Sequence, residues 1–230
     1  MRSSALLLVA VLVPVPEARP LPAQEMFEGV IDYDMSVGGM SMQIRQTVKG
    51  SHVRQEMDGP MGTMISLTNA NDDVMTTILP DRRAYMQIDT RALTKSRPSS
   101  SSLPQPGPED FRPTGEKETI AGQPCEHYAY TREDLTFDMC IASGLGFVPF
   151  AHPAGMGRHG DSRPAIEDNM EAWRARFGEG FVPLEMEMTA NGGAMVMRAT
   201  AIERKPVPDA LFEIPTGYAE MKMPESKRYR

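Results

Sequence analysis

The sequence predicts a mainly β protein of the α+β type: a curved antiparallel sheet, or half-barrel, made of hairpins and covered by one or two helices. Three observations carry this expectation. Apolar and polar residues alternate with a period of two through most of the 230 residues, as they do in half-buried strands. Short turn sequences separate the alternating runs, at positions that let both faces of each hairpin match. One segment alone, residues 162–178, carries apolar residues at convincing helical spacing.

The chain opens with MRSSALLLVAVLVPVPEARPLPAQ. Arg2 supplies a positive start, Ala5 to Val13 is an unbroken apolar run, and small residues follow at Ala18 and Ala23. That is the pattern of a secretory signal peptide over residues 1–23, and the run is too short for a membrane span. No cysteine stands near its end for lipid attachment. The expected product is periplasmic or secreted, with one domain over 24–223 and a tail at 224–230. Loss of Arg2, Arg19 and Glu17 takes the formal charge from −7 to −8. An acidic chain argues against nucleic acid and anionic lipid surfaces as partners. No later run reaches the ~20 apolar residues of a membrane helix.

FEGVIDYDMSV places Phe27, Ile31, Tyr33, Met35 and Val37 on one face. MSMQIRQTV places Met40, Met42, Ile44 and Val48 on one face. A turn at Gly38-Gly39 sets Val37 opposite Met40, Met35 opposite Met42 and Tyr33 opposite Ile44, while Asp32 meets Arg45 on the other side. One register thus satisfies both faces. A turn at Gly50-Ser51 sets Val48 opposite Val53 and Ile44 opposite Met57. A turn at Asp81-Arg82 sets Leu79 opposite Ala84 and Met75 opposite Ile88. CEHYAYTREDLTFDMC reads as two strands around Arg132-Glu133, with Tyr130 facing Leu135, Tyr128 facing Phe137 and Cys125 facing Cys140. These are the only two cysteines, and in an exported chain that register implies a disulfide. Finally, Asn191-Gly192 sets Met188 opposite Met195, Met186 opposite Met197 and Glu185 opposite Arg198. Five hairpins make a sheet of roughly nine or ten strands, large enough to curl.

In the helix, Ser162 is the expected cap and Pro164 stands near the start. Ile166, Met170, Trp173 and Phe177 form its apolar stripe, and Gly178 ends it. Glu167, Glu171, Arg174 and Arg176 face solvent in this reading. The stripe suits a lid packed on the sheet, or a movable gate. A second, weaker helix fits within Asp89 to Lys95. The Ser/Pro-rich stretch over 96–116 reads as a flexible loop, as does the Gly-rich run His152 to Gly160.

Motifs for catalysis are missing. SGLGF lacks the order of a nucleophile elbow. Gly155 and Gly157 do not follow a strand in a βαβ unit. His152, His159 and Asp161 match no zinc spacing, and His127 reads as a cross-strand partner of Asp138. The expectation is a protein without catalysis, cofactor or metal.

The methionines are the remaining clue, 19 in all. Met-x-Met recurs at Met40/Met42, Met186/Met188, Met195/Met197 and Met221/Met223, and residues two apart in a strand share a face. Facing pairs would gather thioethers, which favour Cu(I) or Ag(I). The same residues lie on the apolar face, where unbranched Met suits a pocket for flexible apolar ligands. The pocket wall in this reading comprises Tyr33, Met35, Met42, Ile44, Met186, Met188, Met195, Met197 and Trp173. A non-catalytic envelope adaptor is a third reading.

FEGVIDYDM, VKGSHVRQEM, ETIAGQPCEHYAY and VPDALFEIPTGYAEMKM together resemble the bacterial domain-of-unknown-function 4412 family, over roughly Glu25 to Met223. Its most specific piece is Pro208 to Pro215 with Gly217-Tyr218. The family is similar to the LolA/LolB-like lipoprotein carriers. The resemblance implies a half-barrel closed by helices over a hydrophobic cavity, with a lipid or acylated protein as partner. No residue here matches the carriers' functional positions.

Overall fold

The computed structural model describes residues 27–59, 62–69, 71–89, 106–133, 135–146, 170–178, 180–190 and 192–222. The leader, the Gly-rich run, the C-terminal tail and the first part of the expected helix, with Ser162 and Pro164, lie outside the described residues. So does the weaker helix beyond Asp89.

The first half of the chain is a six-stranded meander: β1 (Glu28–Val37), β2 (Met40–Lys49), β3 (His52–Gly59), β4 (Gly62–Asn69), β5 (Val74–Leu79) and β6 (Ala84–Asp89). The second half runs through β7 (Arg112–Ile120), β8 (Gln123–Arg132), β9 (Leu135–Ala142), helix α1 (Met170–Phe177), β10 (Val182–Ala190) and β11 (Gly193–Arg204). A two-residue β12 (Ala219–Glu220) follows. All twelve form one sheet, in the order β12-β6-β5-β4-β3-β2-β1-β11-β10-β9-β8-β7. Every pairing is antiparallel except β12 with β6. The two meanders are joined where β1 pairs with β11.

The registers expected at Gly38-Gly39, Gly50-Ser51, Asp81-Arg82 and Asn191-Gly192 are those found. The cysteine hairpin differs by two residues. Arg132 pairs with Leu135, so the turn lies at residues 133–134, and Glu133 takes a left-handed φ of 51° there. Tyr130 then faces Phe137, Tyr128 faces Met139, and His127 faces Cys140. A shift of two keeps every side chain on its face. Cys125 is therefore diagonal to Cys140, not opposite it, and the twist of the hairpin brings their Cα atoms to 5.4 Å for the disulfide.

Three strands went unseen in the sequence. β7 (RPTGEKETI) is exposed along nearly its whole length and has no apolar alternation to reveal it. Its charges suit an unpaired sheet edge. β4 mixes apolar and hydroxyl residues, and β12 is too short to show a period. The loop expected over 96–116 also ends early. Pro108–Asp110 form a 3-10 turn and β7 starts at Arg112.

The main core lies on the face of Phe27, Ile31, Tyr33, Met35 and Ile44. α1 covers its far end, with Trp173 and Phe177 four residues apart and both buried. Gly178 at φ 86° ends the helix, and its N–H donates to the Arg174 carbonyl at 2.9 Å. Arg174, expected to be exposed, is half-buried. Met40, placed on the apolar face, is 59% exposed because it stands at the hairpin tip. A smaller core of Ile65, Leu67 and Ile78 lies on the opposite face, with Tyr85 and Tyr218 packed against it.

The junction of the meanders is tight. A Cβ on Gly29 would stand 2.0 Å from the Glu203 carbonyl oxygen. Gly29→Ala should therefore cost about 1–3 kcal/mol, the usual range for overpacking. Urea denaturation measures it, and an unchanged midpoint would show that β1 and β11 have room to part.

Candidate functional site: a methionine ladder under a short helix

Pairing of β1 with β11 brings the separate methionine hairpins into register. Met42, Met35, Met197, Met186, Met139 and Tyr128 are successive cross-strand partners on β2, β1, β11, β10, β9 and β8. The next row on the same face runs Met40, Val37, Met195, Met188, Phe137 and Tyr130. Neighbours in such rows stand about 5 Å apart. The result is a continuous stripe, thioether-rich at one end and aromatic at the other. Tyr33 and Ile44 pair with each other beside it.

All nine expected wall residues belong to this one surface or its cover. Tyr33, Met35, Ile44, Met186 and Met197 are buried. Met42, Met188 and Met195 are half-buried. Burial pushes the Tyr33 phenol well above its ordinary pKa, so it stays neutral. Trp173 joins through the aromatic end. Its ring lies 5.5 Å from Phe111, which lies 5.7 Å from Phe137 of the second row. Phe177 meets Tyr128 edge-on at 4.9 Å. Phe111 and Phe181 complete this cluster. Neither was legible in the sequence, because Phe111 sits in the Ser/Pro-rich stretch and Phe181 in a Gly-flanked turn.

The aromatic cluster also encloses a polar atom. The Trp173 Nε1 is buried with no hydrogen-bond partner among the described residues. A buried indole N–H ordinarily has one, and leaving it unmet costs about 1–3 kcal/mol.

The opposite face carries a charged cluster. Arg198 on β11 donates to both Glu185 on β10 and Glu118 on β7. β7 lies four strands from β11 in the sheet order, so only strong coiling of the sheet permits this contact. His127 Nδ1 is 2.6 Å from Asp138 Oδ1, and its Nε2 is 3.6 Å from Glu118 Oε2. The sequence pointed to Glu185–Arg198 and His127–Asp138 as separate pairs. Glu118 fuses them, and no local signal marks it. Glu118, His127 and Glu185 offer ligand atoms within 4.8 Å of one another. The Arg198 guanidinium, bonded to both carboxylates, already supplies the positive charge that a metal ion would bring. The arrangement is a network of ion pairs holding a coiled sheet.

The network titrates. Hydrogen bonding to Arg198 holds the Glu118 carboxyl below its usual range. For His127, burial disfavours the charge, but the hydrogen bond to Asp138 and the negative fields of Asp138, Glu116 and Glu118 outweigh it. The net shift is upward from 6.5. A raised pKa means that His127 contributes stability fully below its unfolded pKa and loses it as pH rises through the folded value. Stability of the parent should therefore fall from about pH 6 to about pH 8 relative to His127→Gln. Denaturant midpoints at the two pH values test this. Parallel pH profiles would show that folding leaves the His127 pKa unshifted.

Fold and site together define a coiled antiparallel β domain that presents a methionine and aromatic face beneath a short helix. Residues 27–218 match the Domain of unknown function (DUF4412) family, and the chain belongs to it. No curated protein matches the chain. Among solved structures it is similar to PNGF-II, at 15% identity and a TM-score of 0.42, over 84% of this chain. It spans 30% of the length of that protein. It is also similar to LprF from Mycobacterium bovis, at 10% identity and a TM-score of 0.35, over 79% of this chain and 88% of that one. The disulfide is the mark of an oxidising, extracytoplasmic compartment. Among the described residues no helix is long and apolar enough to cross a membrane.

Proposed function

We propose that this is an exported protein that binds an acyl chain or a similar lipophilic ligand along the methionine ladder, with α1 as its cover. The observation that carries the reading is the continuous stripe from Met42 to Tyr128, ending beside a buried Trp173 N–H with no partner among the described residues. Thioether side chains adapt to a flexible alkyl chain at small cost. An ester or carboxyl oxygen at the head of the chain would meet the indole donor. The signal-peptide pattern of residues 1–23 and the resemblance to lipoprotein carriers support delivery to the periplasm.

Native mass spectrometry of the full chain, purified after export, should show a co-purifying lipid. A fluorescent fatty acid should bind the delipidated protein. Changing Met186, Met188, Met195 and Met197 together to Leu should leave that binding within a few-fold, because Leu and Met have similar volumes. Absence of any lipid, with stoichiometric Ag(I) binding that the quadruple variant loses, would overturn the proposal in favour of a Cu(I)-type thioether site.

A further inference from the structure

A concavity lies on the face opposite the ladder. It is a cleft of about 370 Å³ between the outer surface of β3–β6 and the segment that follows β11. That volume falls within the roughly 300–1,000 Å³ of small-molecule sites. The segment is tied down beside the cleft. Lys49 pairs with Asp209 at 2.6 Å, Arg54 Nη1 donates to the Leu211 carbonyl at 3.0 Å, and β12 pairs with β6. Lys49 and Arg54 are thus engaged in holding its wall, and among the described residues no Lys or Arg lines the cleft itself.

The lining has a consistent chemistry. On one side stand two rings, His52 and Phe212, with centroids 5.5 Å apart and planes tilted by 48°. Around them are short and amide-bearing polar side chains: Asn69, Asp72, Thr76 and Gln87. Their mutual bonds are weak. Gln87 Nε2 is 3.4 Å from Thr76 Oγ1, and Asn69 Nδ2 is 3.4 Å from His52 Nε2. Bonds of that length are readily exchanged for better ones. The carboxylates Asp72 and Glu213, with no Lys or Arg among the described lining residues, disfavour an anionic ligand. They accept hydrogen bonds and do not donate them. A fitting ligand therefore donates several hydrogen bonds from neighbouring atoms and also offers an apolar face to the rings.

We propose that this cleft binds a saccharide unit, with Phe212 and His52 against the C–H face of the sugar and Asp72, Asn69 and Gln87 on its hydroxyls. The site is independent of the ladder and of its ligand. Asp72 and Gln87 are exposed, so Asp72→Ala and Gln87→Ala should keep the fold.

The test is an amide NMR titration of the mature protein with chitotetraose, maltotetraose and cellotetraose, with spermine as the cationic control. At least one saccharide should bind at about millimolar affinity, shifting amides of His52, Asn69, Asp72, Gln87 and Phe212. Each alanine variant should weaken that binding about tenfold. Shifts with spermine alone would overturn the saccharide assignment in favour of a cation site. Saccharide shifts elsewhere, no shifts at all, or binding that ignores both variants would overturn the site.

Discussion

Trp173→Ala is expected to lower the free energy of unfolding by about 3–5 kcal/mol, the usual range for truncating a buried large aromatic. The ring is 2% exposed and contacts three others: Phe111, Phe177 at 5.4 Å and Phe181 at 6.3 Å. It is the largest fully buried side chain of the core. No smaller residue fills that space, and the cluster draws on the turn before β7, on α1 and on the approach to β10, none of which can close the gap alone. Urea denaturation of both proteins gives the number. A loss below about 1 kcal/mol would show that α1 does not depend on its ring, and the cover would then be dispensable. The parent protein has a single tryptophan, so its emission reports this place. It should be blue-shifted, and a fatty acid meeting Nε1 should change it. Arg174 beside it is half-buried, so its substitution is no neutral control. Exposed Arg176 is also unsuitable, because it donates to the Phe111 carbonyl at 3.3 Å.

Removing the Cys125–Cys140 bridge should cost about 2–5 kcal/mol, and about 3 kcal/mol on the chain-entropy argument for a loop of this size. The double variant Cys125→Ala with Cys140→Ala is the clean test, because neither thiol is left to react. Both cysteines are buried, at 5% and 0% exposure, so the change also removes packing. The bridge ties β8 to β9 near the end where the edge strand β7 is attached. β7 therefore should lose its hydrogen-exchange protection first. Mass spectrometry of the non-reduced protein should find the two peptides linked. Two free thiols after export, or a double variant as stable as the parent, would refute the prediction.

The hairpins were legible because each register is a local matter. A turn of two residues and an alternation of period two leave one arrangement in which apolar meets apolar and Asp32 meets Arg45. The cysteine hairpin slipped by two residues because the face pattern is unchanged by such a shift, and the left-handed Glu133 marks the turn that is found. β7 was invisible for another reason. An edge strand with little burial carries no apolar period, so its place is set by its partner β8 and not by its own composition.

The sequence by itself determined the class of fold, four of five hairpin registers, the disulfide partners and the apolar face on which the methionines stand. Local hydrophobic patterning is enough for the fold class, the registers and the apolar face, and the presence of two cysteines alone names the disulfide partners. Only the tertiary structure decided that β1 meets β11. That long-range pairing turns separate Met-x-Met hairpins into one ladder across six strands, because cross-strand rows continue only when neighbouring hairpins join in phase. The coiling of the sheet decided that Glu118 reaches Arg198. The return of the C-terminal segment onto β3–β6 decided that a cleft exists at all. Each brings together residues far apart in the chain, and no periodicity in the sequence records which distant strand will be the neighbour.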